Sequence, residues 1–139
     1  MSQPLPSQTL SVHIQRELDT VYRFLAQPAN FPLWASGLGD GLQSIDGEWF
    51  ADTANGRVRI RFSEANAFGV LDHYVYPAPG IEIYVPLRVL ANGDGCDVVF
   101  TLFRQPDMDD ASFAADADWV MRDLDAMKQL LETPDQEPR

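Results

Sequence analysis

Cysteine is almost missing from this chain: among its 139 residues there is one, Cys96. A single thiol cannot close an internal disulfide, so nothing points to an oxidising compartment and the fold has to stand without covalent staples. Cys96 opens an expected strand, where it reads as a small buried residue. Histidine is nearly as scarce, with two, on separate expected strands and without ligand spacing, so neither a metal nor another cofactor is expected. Positive charge is also short: 10 basic residues face 21 acidic ones, for a net charge of −11. Such a surface repels phosphate backbones and anionic lipid heads, so neither nucleic acid nor membrane is an expected partner. Arg57, Arg59 and Arg61 alone could form a basic patch, and strand alternation makes them one solvated face. No apolar run approaches the roughly 18 residues that a membrane span needs. Met1 to Gln8 hold neither a basic start nor an apolar run, so no secretory signal is expected and the expected location is cytoplasmic.

What is present suits one domain. The length fits a single core, and 45% hydrophobic residues is an ordinary globular share. Residues 1–8 read as a flexible N-terminus, 9–132 as the domain and 133–139 as a frayed polar tail. Leu10, Val12 and Ile14 alternate with Ser11, His13 and Gln15, the mark of a half-buried strand with His13 on its wet side. Asp19 is a candidate N-cap for a helix carrying Val21, Tyr22, Phe24 and Leu25, which Pro28 ends. A second helical turn is expected at Asn30 to Trp34. Gly37, Gly39 and Gly41 then form a connector, not a phosphate loop: a dinucleotide loop follows a strand and opens a helix, and this segment does the reverse.

From Leu42 to Arg104 the pattern is of strands and tight turns. Asn55-Gly56 and Asn92-Gly93 signal two-residue hairpins, and Pro77 to Gly80 a third turn. Expected strands are Leu42–Ile45, Glu48–Thr53, Arg57–Ser63, Gly69–Tyr76, Ile81–Leu90 and Cys96–Arg104. Asp110 to Glu132 then form a helix of about 34 Å, with Phe113, Ala117, Val120, Met121, Leu124, Met127 and Leu131 on one stripe. Trp119 and Leu130 flank that stripe.

The turns set the register, and the register sets the faces. Taken at face value they turn Trp49, Phe62, Asp72, Tyr74, Tyr76, Phe100 and Arg104 inward, on a face otherwise made of Val, Ile and Leu. Polar groups on such a face need partners or water. Either Asp72 and Arg104 pair with one another or with a tyrosine and only fix the core, or they line a cavity and orient a ligand. His73, next to Asp72, then points outward beside Tyr84 and cannot share a pocket with it. Leu71, Val75, Tyr84, Val99 and Phe103 form an outer set apolar enough for a homodimer or partner contact.

The order of elements, with Val21-Tyr22-Arg23-Phe24-Leu25, Pro28 and Asn30-Phe31-Pro32-Leu33-Trp34 as the helix pair, resembles the START-like, or SRPBCC, superfamily, and within it the bacterial polyketide cyclase/dehydrase-like members. The resemblance covers roughly Thr9 to Glu132. It implies an α+β helix-grip fold, a curved antiparallel sheet of six or seven strands around a long C-terminal helix. It also implies a small apolar ligand, lipid or polyketide-like, between sheet and helix. Trp34 is the position it places near the pocket mouth. The expected ligand-binding set is therefore Trp34, Trp49, Phe62, Asp72, Tyr74, Tyr76, Phe100 and Arg104. An enzyme of the cyclase or dehydratase kind, with Asp72 as acid or base, is the alternative, and a protein-contact module of the chaperone-activator kind is another.

Overall fold

The computed structural model describes residues 3–36, 41–54 and 56–133. The glycine connector, apart from Gly41, the turn residue Asn55 and all of the tail but Thr133 lie outside the described residues. The chain is α+β with the helix-grip architecture. Among the described residues it runs β1 (Ser7–Ile14), α1 (Leu18–Ala26), a 3-10 turn (Pro28–Asn30), α2 (Phe31–Trp34), β2 (Leu42–Ile45), β3 (Glu48–Thr53), β4 (Gly56–Phe62), β5 (His73–Ala78), β6 (Ile81–Val85), β7 (Leu87–Asn92), β8 (Gly95–Phe103) and α3 (Asp110–Glu132). Helix α1 begins one residue before the expected Asp19, with Glu17 as its N-cap. Its far end is closed by the Asn30 amide, which donates to the Phe24 carbonyl at 3.0 Å.

All strand pairs are antiparallel. Strands β1, β8 and β7 form one sheet, and β2 to β6 the other in sequence order. The two are joined because the expected strand Ile81–Leu90 is one arm bent at Pro86: β6 pairs with β5 before the bend and β7 with β8 after it. Proline has no N–H to give to a ladder, so it suits the corner where the chain changes sheets. Gly69 lies across β7 on the other side of the join, accepting from the Val89 N–H at 2.9 Å. Its φ is +70°, and a Cβ there would stand 2.5 Å from the Val89 carbonyl oxygen, so only glycine fits.

Helix α3 lies against β1 and β8. Asp109 caps it, accepting the Ser112 N–H at 2.7 Å; that bond, with the Ser112 hydroxyl, holds the Asp109 carboxyl below its usual value. Ala117, Val120, Leu124, Met127 and Leu131 are buried, as the stripe requires, and the last four meet Ile14, Cys96 and Val98 in the core. A fully buried side chain of this kind contributes about 1.5–3 kcal/mol. The end of α3 is tied to β1 by polar bonds: Lys128 donates to the His13 carbonyl at 2.6 Å, and Arg16 to the Leu131 carbonyl at 2.6 Å. None of the helices among the described residues is long and apolar enough to cross a membrane.

The faces of the strands follow the expected scheme except on one. Trp49 stands opposite Ile60, and Leu87 opposite Phe100. Both hairpins differ from the expected pairing by two residues, which leaves every side chain on its expected side. Strand β5 differs by one. Its turn to β6 has two residues, with Ala78 opposite Ile81, and an irregularity between Val75 and Ala78 brings Val75 opposite Ile83 and His73 opposite Val85. A shift of one residue exchanges the faces of a strand. His73, opposite the inward Phe62, points in, and Asp72, Tyr74 and Tyr76 point out.

Candidate functional site

A cavity of about 140 Å³ lies under the helix pair, between α1 and α2 above and β4, β5 and β7 below. The helices supply Tyr22, Leu25, Phe31 and Trp34, and the sheets Phe62, His73 and Leu87, with Leu71 just before β5. The helical residues that line it come from α1 and α2 rather than α3. Its aromatic walls meet edge to face: Phe31 touches Trp34 with ring centres 4.8 Å apart, Phe62 at 5.2 Å and His73 at 5.5 Å. The segment 63–70 closes one side. Asn66 holds it, its side-chain oxygen accepting from the Phe68 N–H at 2.9 Å and the Val70 N–H at 3.1 Å, while its own N–H donates to the Tyr22 hydroxyl at 2.9 Å. Next to the cavity a more open cleft of about 370 Å³ shares Ala26, Phe62 and Ser63 with it and adds Trp49.

Beside the Tyr22, Gln27 and Ser63 side chains of the lining, two buried polar groups stand among these walls. His73 is 5% exposed and the one charged or polar residue of the buried core among the described residues. Its Nδ1 lies 3.2 Å from the Leu71 carbonyl oxygen. A carbonyl only accepts, so Nδ1 carries the proton and, in a neutral ring, Nε2 keeps a free lone pair. Burial pushes the imidazole down to about 4, against weaker upward pulls from the Leu71 carbonyl and the Asp72 carboxylate. The ring is therefore neutral at pH 7. The second group is the indole N–H of Trp34, which is buried and has no hydrogen-bond partner among the described residues. A donor left unpaired in this way costs about 1–3 kcal/mol.

The expected site residues divide between the faces. Trp34 and Phe62 line the cavity, and Trp49 stands in the adjoining cleft, edge to face with Phe62 at 6.4 Å. Phe100 points inward and packs on the core. The inward placement of Asp72, Tyr74, Tyr76 and Arg104 is corrected. Asp72 turns to the bend between β6 and β7, accepting from the Tyr84 hydroxyl at 2.6 Å, the Leu87 N–H at 3.0 Å and Arg88 Nη2 at 2.9 Å. Burial pulls its carboxyl upward, and the bonds from Arg88, Tyr84 and Leu87 outweigh this and hold it below the usual value. Tyr74 and Tyr76 lie on the outer face under Arg61 and Arg59, at 4.5 and 4.0 Å from the ring centres. Arg104 leaves β8 and folds over the start of α3, donating to the Met108 carbonyl at 3.1 Å and to Asp110 at 2.5 Å, so it pairs with neither Asp72 nor the cavity.

The same exchange breaks the expected outer apolar set. Leu71 is 9% exposed and lines the cavity, and Val75 faces inward opposite Ile60. Tyr84 and Phe103 stay outside, with Tyr84 stacked on Tyr74 and Phe103 stacked on Tyr84. His73 was missed as a cavity residue. The signal for it is the alternation itself: Leu71, His73 and Val75 are a more apolar series than Asp72, Tyr74 and Tyr76, and only a register counted from the turn without a bulge argued the other way. No group of histidine, cysteine and carboxylate side chains able to hold a metal occurs among the described residues.

No protein-family model matches the sequence, and no curated protein matches it. Solved structures do match. XoxI from Bacillus cereus superposes with a TM-score of 0.75 at 13% identity, over 94% of this chain and 99% of that one. DynU16, a putative protein in the dynemicin biosynthetic locus, gives 0.70 at 14% identity, and the di-domain ARO/CYC BexL from the BE-7585A biosynthetic pathway 0.68 at 17%. Each of these two is matched over 94% of this chain and 48% of its own length, so this chain spans about half of either. At such identities the likeness is one of fold: the START-like, helix-grip fold that the order of elements resembles.

Proposed function

We propose that this chain binds a small apolar molecule, of the lipid or polyketide-like kind, with one end in the cavity beneath α1 and α2 and the rest in the cleft beside Trp49. The observation that carries this reading is the cavity itself: an aromatic enclosure holding a neutral histidine and an indole N–H without a partner. A pocket of apolar walls with a few convergent polar groups is what an oriented small-molecule site requires. That DynU16 and BexL come from biosynthetic loci supports a polyketide-like ligand over a lipid. Trp34, Phe62 and Trp49 are the contact residues of this reading, with His73 in the role first expected of Asp72 and Arg104.

A cyclase or dehydratase reading needs a proton donor or acceptor at the cavity. Asp72 is turned away from it and engaged by Arg88 and Tyr84. His73 is well placed, yet with its pKa at about 4 it is a weak base at neutral pH. Binding therefore accounts for the geometry with fewer demands than catalysis. The test is titration of the protein with toluene, followed by the NMR shifts of the Phe31, Trp34 and Phe62 rings. Saturable shifts confined to these rings are expected, with Ala26→Phe, which fills the shared wall, weakening binding at least about tenfold. Rings that do not respond to toluene, or an Ala26→Phe protein that binds as well as the parent, would overturn the reading.

A further inference from the structure

The outer face of the five-stranded sheet carries charge differently from the rest of the surface. Strand alternation puts Arg57, Arg59 and Arg61 of β4 there, between Glu48 and Asp52 of β3 on one side and Glu82 of β6 on the other. Of the chain's 21 acidic and 10 basic residues this face holds three of each, so the net charge of −11 lies elsewhere. Two copies repel one another over most of their surfaces and can meet here without that penalty. Its other side chains suit a contact. Phe50, Tyr76 and Tyr74 are half-buried rings under the three guanidinium groups, at 5.9, 4.0 and 4.5 Å from the ring centres, and tyrosine, phenylalanine and arginine are the types enriched where proteins meet.

Within this balance two charges lack an opposite. Arg57 pairs with Asp52 at 3.0 Å and Arg59 with Glu48 at 3.8 Å. Arg61 and Glu82 are exposed and make no ion pair among the described residues. The Tyr76 hydroxyl stands between them, accepting from Arg61 Nε at 3.1 Å and donating to Glu82 Oε2 at 2.9 Å. Arg61 lies opposite Tyr74 on one side of β5, and Glu82 beside Tyr76 on the other. A two-fold axis in the plane of contact, over β5 between Tyr74 and Tyr76, exchanges these two positions. Arg61 of each copy then meets Glu82 of the other, the reciprocal contact that an isologous dimer requires. We infer that a second copy of this chain docks on the outer face of β2 to β6, through two Arg61–Glu82 pairs set about the Tyr74 and Tyr76 rings. A nucleic acid or an acidic protein fits less well, because Arg57 and Arg59 already have carboxylates. The face is about 24 Å by 20 Å at ordinary strand spacing and rise. That is a small contact, so the dimer is reversible, with a Kd of roughly 10–100 μM. The cavity lies on the inner side of the sheets, so this inference stands apart from the ligand.

The test is sedimentation velocity on the intact chain, from about 10 μM to about 1 mM, where the parent is expected to pass from monomer to dimer. Arg61→Glu and Glu82→Arg each set two like-charge contacts across the axis, and each should weaken association at least about tenfold. An equal mixture of the two variants restores both attractive pairs, and should associate within about threefold of the parent. The double variant Arg61→Glu/Glu82→Arg should associate with itself as the parent does, and should not pair with the parent. If a single variant does not fold, this double variant carries the test, since its self-association requires a folded chain. A parent that stays monomeric at the highest concentration would overturn the inference. So would single reversals that associate like the parent, or a double variant that pairs with the parent as readily as with itself.

Discussion

Asp72 and His73 are neighbours in sequence with opposite fates, and each has a pH signature. Asp72 is held below its ordinary value of 3.8. Its bonds stabilise the fold above that value, and the stabilisation is lost as pH falls through the lower folded-state pKa. Replacing it with asparagine should cost about 1–3 kcal/mol at pH 7 in a urea melt, since the charged partner Arg88 at the sheet bend loses its acceptor. An unchanged midpoint would mean the bend does not depend on it. His73 works in a higher window. Its folded pKa is about 4 against 6.5 for the free side chain. Below pH 6.5 the unfolded chain takes up a proton that the folded chain refuses, so stability falls toward pH 4. By pH 4.5 the loss is about 2–3 kcal/mol, and His73→Phe should remove it. His13 acts in the other direction: its pKa is raised, first by the hydrogen bond it donates to the Asp97 carboxylate, so what it adds is present at low pH and lost as pH rises. The comparison of His73→Phe with the parent, both carrying His13, separates the two; equal slopes between pH 7 and 4.5 would contradict the buried neutral ring.

At the scale of elements, the hairpins show which part of a register the sequence settles. The β3–β4 and β7–β8 turns sit one residue from where their Asn-Gly signals place them, which shifts the pairing by two, and an even slip leaves the faces intact. The β5 irregularity is an odd slip, and it exchanges Asp72, Tyr74 and Tyr76 for Leu71, His73 and Val75 on the inside. Bulges of this kind have no residue signature as sharp as a turn's, so the candidate polar site was misread even though the strands were found. Gly69 offers a test of the join between the sheets. Gly69→Ala forces a Cβ against the Val89 carbonyl from a positive φ, and should destabilise by about 1–3 kcal/mol in denaturant. A neutral result would show that β7 and residues 69–71 can separate at little cost. The long helix is the opposite case. Asp110 to Glu132 was legible in full because its cap, its period and its end agree. Leu124 is fully buried at its centre, so Leu124→Ala should cost about 2–5 kcal/mol by the same measurement.

At the scale of the whole molecule, a ligand that binds the folded state alone adds to its stability. Toluene at about 100 times its Kd should contribute about 2.7 kcal/mol and raise Tm by several degrees in the parent, and much less in Ala26→Phe. A Tm that does not move would count against the cavity as a binding site. Composition, hydrophobic periods and turn signals suffice for the order of elements, the long helix and the helix-grip architecture, because each depends on local pattern and on burying one face of each element. They also suffice for the inward facing of Trp49, Phe62 and Phe100, whose strands turned the expected way, whereas Trp34 was singled out by the family resemblance. The inward histidine, the outward Asp72, Tyr74 and Tyr76, the withdrawal of Arg104 to the start of α3 and the position of the cavity under α1 and α2 were decided only by tertiary structure. The physical reason is that a face is set by the pairing of a strand with its neighbour, and one residue's difference in that pairing leaves the local pattern unchanged while reversing what the pocket contains.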